Sequence, residues 1–236
     1  MKKKLFNVFK MIILIFIILF GLFYIYTFDY YKSSKINNKY LKSNSVVSVR
    51  KYNNYYMFDG PNKDTAIIFY PGAKVEYTSY SELLNKLAYS YDVFNINMPF
   101  NLAILGSNRG NIITNKYKYK HYYIMGHSMG GVSASIYANN NKKIDGIIYL
   151  ASYPSSKLRN DIKVISIKGS KDKVLNKKSY ISAKKYLPSN ALYYELKGGN
   201  HANYASYGKQ KGDGINSISR EKQINETVYL INNFIN

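Results

Sequence analysis

Hydrophobic and polar positions follow three successive patterns along the chain. From Met11 to Phe28 the sequence "MIILIFIILFGLFYIYTF" carries no charge. As a helix rising about 1.5 Å per residue, such a run spans roughly the hydrocarbon thickness of a bilayer. A buried core helix is the alternative, but one at the extreme N-terminus is rarely apolar on every face, as this one is. Residues 1–28 therefore read as a transmembrane anchor or uncleaved signal. Thr27, Phe28, Asp29 and Tyr30 match a small-residue cleavage site poorly, which favours anchoring over secretion. Lys2, Lys3, Lys4 and Lys10 precede the run and Lys32, Lys35, Lys39 and Lys42 follow it. A short basic N-terminus stays in the cytoplasm, and a large following domain crosses with little regard to charge. The expected arrangement is single-pass in the cell membrane, with the following domain outside the cell.

Residues 29–44 are rich in Lys, Ser, Asn and Tyr and read as a polar spacer. From residue 45 to 236 the pattern alternates between short apolar runs and amphipathic stretches. "SVVSVRKY" and "YYMF" look like an opening antiparallel pair. "TAIIFY", "YDVFNIN", "HYYIMG", "DGIIYLA", "DIKVISIKG" and "ALYYELKG" read as strands. Between and after them, "YTSYSELLNKLAYS", the segment from Met129, "KSYISAKKYL" and "SREKQINETVYLINNFI" read as helices. Short strands separated by helices predict an α/β domain whose mainly parallel sheet is covered on both faces. In such folds ligands sit at the carboxyl ends of the strands, so that rim is where chemistry is sought.

The 236 residues suit one domain of ordinary size beyond the anchor. Absence of cysteine removes disulfides, thiolate metal sites and cysteine nucleophiles, and three scattered histidines make a poor metal centre, so no metal is expected. The formal charge of +21 draws the protein toward anionic surfaces. Its lysines are dispersed rather than gathered into a stripe, and no nucleic-acid motif accompanies them. Anionic lipid or a cell-envelope polymer is the expected partner rather than nucleic acid, alongside the plain alternative of a lysine-rich composition.

Candidate chemistry centres on "YYIMGHSMGG". Ser128 directly follows a strand and precedes a helix, the setting a Gly-x-Ser-x-Gly elbow requires, with Gly126 and Gly130 allowing close approach of strand and helix. A serine nucleophile needs an imidazole base and a carboxylate to orient it. His121 begins its strand and lies at the wrong edge; His127 adjoins the serine and should point elsewhere. His201, in "GGNHANY" after the last strand, lies at the correct edge. Among thirteen carboxylates, Asp64, Asp92, Asp145 and Asp161 precede strands, Glu82, Glu221 and Glu226 sit on remote helices, and Asp213 lies beyond the histidine. Asp172 in "IKGSKDKV" follows a strand's carboxyl end and is the expected acid, with Glu76 as competitor. The order Ser128, Asp172, His201 differs from the orders of two other common serine-triad folds.

With "FYPGAKVEYTSY", "NINMPFNLAILG", "GHSMGG", "GSKDKV" and "GGNHANYASYGKQKGDG" in these positions, the domain resembles the α/β-hydrolase superfamily, in particular small dienelactone-hydrolase-like members. The resemblance implies a hydrolase with Ser128, Asp172 and His201 as its triad, and no cofactor. It also suggests oxyanion donors: the Met129 amide and, in "YPGAK", the amide of Ala73 or Gly72. Tyr70 and Pro71 stand where many relatives carry His-Gly. Only "SYPSSKLRN" separates the sixth and seventh strands, which leaves no room for the lid that many relatives insert there. An open, shallow site bordered by Tyr153, Pro154 and the "MPFNLAILG" loop is expected. The expected substrate is a small-molecule or lipid ester, lactone or thioester; transfer of the acyl group to another hydroxyl and a non-catalytic binding module are the alternatives.

Overall fold

The computed structural model describes residues 2–62 and 64–236; Met1 and Lys63 lie outside the described residues. Two compact units are present, residues 1–30 and 31–236. The first is a helix, α1 (Lys2–Phe28), whose span Lys3–Phe28 is long and apolar enough to cross a membrane. Most of its apolar side chains are exposed.

The second unit opens with β1 (Ser48–Lys51) and β2 (Tyr55–Asp59), then β3 (Thr65–Tyr70), α2 (Ser81–Leu87) and β4 (Asp92–Ile96). Two 3₁₀ turns, Pro99–Asn101 and Ala103–Gly110, lead to the short α3 (Asn111–Thr114), β5 (His121–His127) and α4 (Met129–Asn140). The chain continues through β6 (Ile144–Leu150), β7 (Lys163–Gly169), α5 (Lys177–Ala183), β8 (Leu192–Leu196) and α6 (Arg220–Ile235). One eight-stranded sheet has the order β1-β2-β4-β3-β5-β6-β7-β8. Pairing is antiparallel in β1–β2 and β2–β4 and parallel in every other pair.

Alternation along the buried strands divides the core into two layers, because neighbouring side chains leave a strand on opposite faces. Ile67 and Phe69 of β3, Tyr123 and Met125 of β5, and Ile165 and Ile167 of β7 pack with Leu83, Leu84 and Leu87 of α2 and Ile224 and Ile231 of α6. Ala66, Ile68 and Tyr70, Tyr122 and Ile124, and Val164 pack on the other face with Ala134, Tyr137 and Ala138 of α4. Both faces being covered explains why these strands read as continuous apolar runs.

The segment read as a polar spacer departs from that reading. From Tyr31 onward it belongs to the second compact unit. Tyr31 pairs with Val75, the Tyr31 amide donates to the Lys74 carbonyl at 2.7 Å, and the Glu76 amide donates to the Tyr31 carbonyl at 2.9 Å. Asn37 is buried and its side-chain amide donates to the Ser206 carbonyl. Side-chain and backbone hydrogen bonds fix this stretch together with Tyr31 and Leu41, which pack against the core, and the many polar residues between them hide this from hydropathy.

Candidate active site

Strand ends and their following loops assemble the site. Among the described residues, the five non-glycine residues with positive φ are Lys74, Phe100, Asn101, Ser128 and Ala151. They follow β3, β4, β5 and β6, so every one lies at the carboxyl rim of the parallel strands. Backbone strain of this kind costs on the order of 1–3 kcal/mol per residue and concentrates at functional sites.

Ser128 has φ 52° and ψ −125°, a sharp turn between β5 and α4. Its amide donates to the Leu150 carbonyl at 3.0 Å, and its carbonyl accepts from the Ser152 hydroxyl at 2.5 Å and from the Gly131 amide at 3.0 Å. Two glycines permit the turn. A Cβ on Gly126 would lie 2.4 Å from the Gly131 nitrogen, and one on Gly130 would lie 2.2 Å from the Tyr70 carbonyl oxygen and 2.4 Å from that of Pro71. Those are backbone atoms with no freedom to retreat, so both positions require hydrogen in place of a side chain.

Asp172, after β7, and His201, after β8, are both buried. The His201 Nδ1 and the Asp172 Oδ2 are 2.8 Å apart. The other carboxylate oxygen, Oδ1, accepts from the amides of Val174 and Leu175 at 2.9 and 2.8 Å. Those two amides fix the carboxylate and keep its other oxygen aimed at the ring. With Nδ1–H donating to Asp172, His201 Nε2 is the lone-pair nitrogen; it is buried and has no hydrogen-bond partner among the described residues. A cavity of 150 Å³ is lined by Ser128, Met129, Val132, Tyr153, Leu175 and His201, among others, so the serine and the histidine share one opening.

Glu76, the competing acid, is turned elsewhere: its carboxylate accepts from the Ser33 amide and the Thr78 hydroxyl. Asp213 has a part that chain order concealed. Its carboxylate accepts from the amides of His201 at 3.2 Å and Ala202 at 2.9 Å, so it returns to fix the loop bearing the histidine.

His127 does point away from the serine, into a buried network. The Gly72 amide donates to the Tyr80 hydroxyl at 3.1 Å, Tyr80 Oη lies 2.8 Å from His127 Nδ1, and His127 Nε2 lies 3.1 Å from the His201 carbonyl. A consistent assignment has Tyr80 donating to Nδ1 and Nε2–H donating to the carbonyl, which requires neutral His127. Burial pushes this imidazole well below the usual histidine range, and the neighbouring His201 lowers it further. The network ties the loop after β3 to the backbone of His201.

That bond also commits the Gly72 amide. The Ala73 amide meets no acceptor among the described residues, and the Met129 amide is at the first position of α4, where no intrahelical acceptor exists. Tyr153 is among the residues lining the cavity, whereas Pro154 is buried and is not. The "MPFNLAILG" loop does not line it either. Tyr70 holds that loop's end by donating to the Ser107 carbonyl and accepting from the Gly110 amide, both at 2.7 Å.

Comparisons with known proteins agree with this architecture. The model of a family described as "Alpha/beta hydrolase family" matches residues 66–225. Among solved structures, alpha/beta hydrolase domain-containing protein 10 from mouse is 13% identical with a TM-score of 0.55, over 81% of this chain and 98% of its own. A CIB-like hydrolase from Thermoplasma acidophilum is 21% identical with a TM-score of 0.48, over 79% of this chain and 97% of its own. No curated protein matches the chain.

Proposed function

Because the chain belongs to the alpha/beta hydrolase family, we propose that it is a serine hydrolase that cleaves a carboxylic ester, lactone or thioester through an acyl-enzyme on Ser128. The observation that carries the reading is the pairing, in one cavity, of a strained elbow serine with a buried histidine nitrogen whose ring is held by Asp172. A merely structural turn serine has no use for an unpartnered imidazole nitrogen on a residue lining the same cavity, because leaving such an atom buried is costly.

In the proposed reaction His201 Nε2 takes the Ser128 hydroxyl proton as Oγ attacks the acyl carbonyl. The carbonyl π pair moves onto oxygen, where the Met129 and Ala73 amides supply hydrogen bonds and the start of α4 adds a favourable dipole. Collapse of the tetrahedral intermediate breaks the bond to the leaving alcohol or thiol, which receives the proton from His201. Water then repeats the sequence on the acyl-enzyme, releasing the acid and restoring the serine. Asp172 keeps the imidazole in the required tautomer and stabilises the imidazolium.

The N-terminal helix is proposed to anchor this domain in the cell membrane with the site outside the cell. The net positive charge suits work near anionic lipid or envelope polymer. Hydrolysis of p-nitrophenyl esters by the full chain in detergent micelles, compared with Ser128→Ala, tests the chemistry: turnover should vanish in the variant, and full activity there would refute the assignment. Labelling of intact cells with a membrane-impermeant fluorophosphonate tests the sidedness; labelling only after lysis would place the site inside.

A further inference from the structure

Two cavities meet at one side chain. The first, of 150 Å³, holds Ser128 and His201 and has Met129, Val132 and Leu175 as apolar lining. The second, of 260 Å³, lies between the end of β7 and α5, lined by Asp172, Leu175, Lys177, Tyr180, Ile181 and Lys184 among others. Leu175 is the residue common to both linings. It is 8% exposed, yet belongs to neither of the two core layers, so its burial comes from the walls of the cavities. Its backbone is pinned by the amide's bond to Asp172 Oδ1. The side chain therefore stands as a partition on a fixed post.

We propose, resting on the serine-hydrolase reading above, that Leu175 sets acyl length and that the natural substrate class is an ester of a short acyl group. At about 30 Å³ per water-sized group, the first cavity seats about five carbon-sized groups before the chain meets Leu175. Met129, Val132 and Leu175, with Ala151 and Val174, give the lining an apolar side that suits an alkyl chain, while Ser152, Tyr153 and Asn176 supply its polar side. On the other side of the leucine lies the second, larger cavity, whose lining shares Leu175 with the first.

The test is a series of p-nitrophenyl esters from acetate to decanoate, hydrolysed by the wild-type chain, Leu175→Ala, Leu175→Val and Ser128→Ala. Wild-type kcat/KM should peak at the short esters and fall at least about tenfold by octanoate, since a pocket discriminates by about tenfold or more per misfitting methylene group. Leu175→Ala should raise the octanoate-to-butyrate ratio of kcat/KM by about tenfold or more, and Leu175→Val by a smaller factor. Ile181, 65% exposed in the second lining, gives the reciprocal check: Leu175→Ala with Ile181→Trp should return preference to short esters. If Leu175→Ala folds poorly, the Leu175→Val ratio decides. An unchanged ratio in the folded leucine variants, with Ser128→Ala inactive, overturns the partition and leaves the hydrolase reading intact. Full turnover by Ser128→Ala overturns that reading itself, and the partition with it.

Discussion

Replacing Asp172 by asparagine separates the carboxylate's chemistry from its structural work. The acid accepts three hydrogen bonds, two from the Val174 and Leu175 amides through Oδ1 and one from His201 Nδ1 through Oδ2. Alanine would leave three donors unpaired, the buried Leu175 amide and His201 Nδ1 at about 1–3 kcal/mol each and the half-buried Val174 amide at less, a loss large enough to unfold the loop and confuse the result. Asparagine keeps its oxygen for the two amides and presents an NH₂ to His201. Two donors then face each other at 2.8 Å, unless the imidazole moves its proton to Nε2 so that Nδ1 accepts. That tautomer offers Ser128 a donor where a base is needed. The expected loss is about 10⁴-fold in kcat, or about 5.4 kcal/mol of transition-state stabilisation at about 1.36 kcal/mol per decade. Steady-state hydrolysis of a p-nitrophenyl ester measures it, with thermal unfolding as the control for folding. An Asp172→Asn protein that melts like wild type and keeps more than a tenth of its kcat would refute the assignment of the acid.

Other consequences follow from the same contacts. His127 is held neutral in the fold, so below about pH 6.5 the unfolded chain takes up a proton that the folded one excludes. Stability from this residue is present above that pH and declines as pH falls, by at most about 1.4 kcal/mol per unit; the gap in unfolding free energy between wild type and His127→Gln should change with pH at that slope. Gly130→Ala drives a Cβ into the Tyr70 and Pro71 carbonyls; calorimetry should show a loss of about 2–3 kcal/mol, and kinetics about a 10²-fold fall in kcat as the Ala73 amide shifts. Glu82 is buried on α2 and paired with Arg220 of α6 at 3.1 Å and Lys86 at 3.1 Å. Burial opposes its ionisation, but Lys86 and Arg220 hold its pKa below the usual carboxylate value, so its contribution is present above about pH 4.5 and lost as pH falls. Glu82→Ala should cost about 3 kcal/mol at neutral pH by denaturant unfolding, with the difference shrinking in acid.

How much of this was legible in the sequence depends on the range of the forces involved. Strands and helices were readable because burial on both sheet faces writes itself locally, as in "TAIIFY" and "HYYIMG". The positions of Asp172 and His201 were readable too, since a parallel sheet sends the ends of β7 and β8 to one rim. The structure of residues 31–44 was not: polar side chains such as Asn37 are tied to partners far along the chain, and hydropathy carries no trace of that. Asp213 was passed over because a carboxylate after the histidine in chain order returns to it only through the path of its loop. Likewise nothing local foretells that Tyr80 claims the Gly72 amide, or that Pro154 is buried while Tyr153 lines the cavity.

The central claim is that Ser128 carries the acyl group, and mass spectrometry of a trapped adduct tests it most directly. The full chain treated with a fluorophosphonate, digested and sequenced by tandem fragmentation should carry the added mass on Ser128, with labelling at least about 10³-fold slower in His201→Ala. An adduct on another residue, or none from a preparation that is hydrolysing ester, would contradict the account.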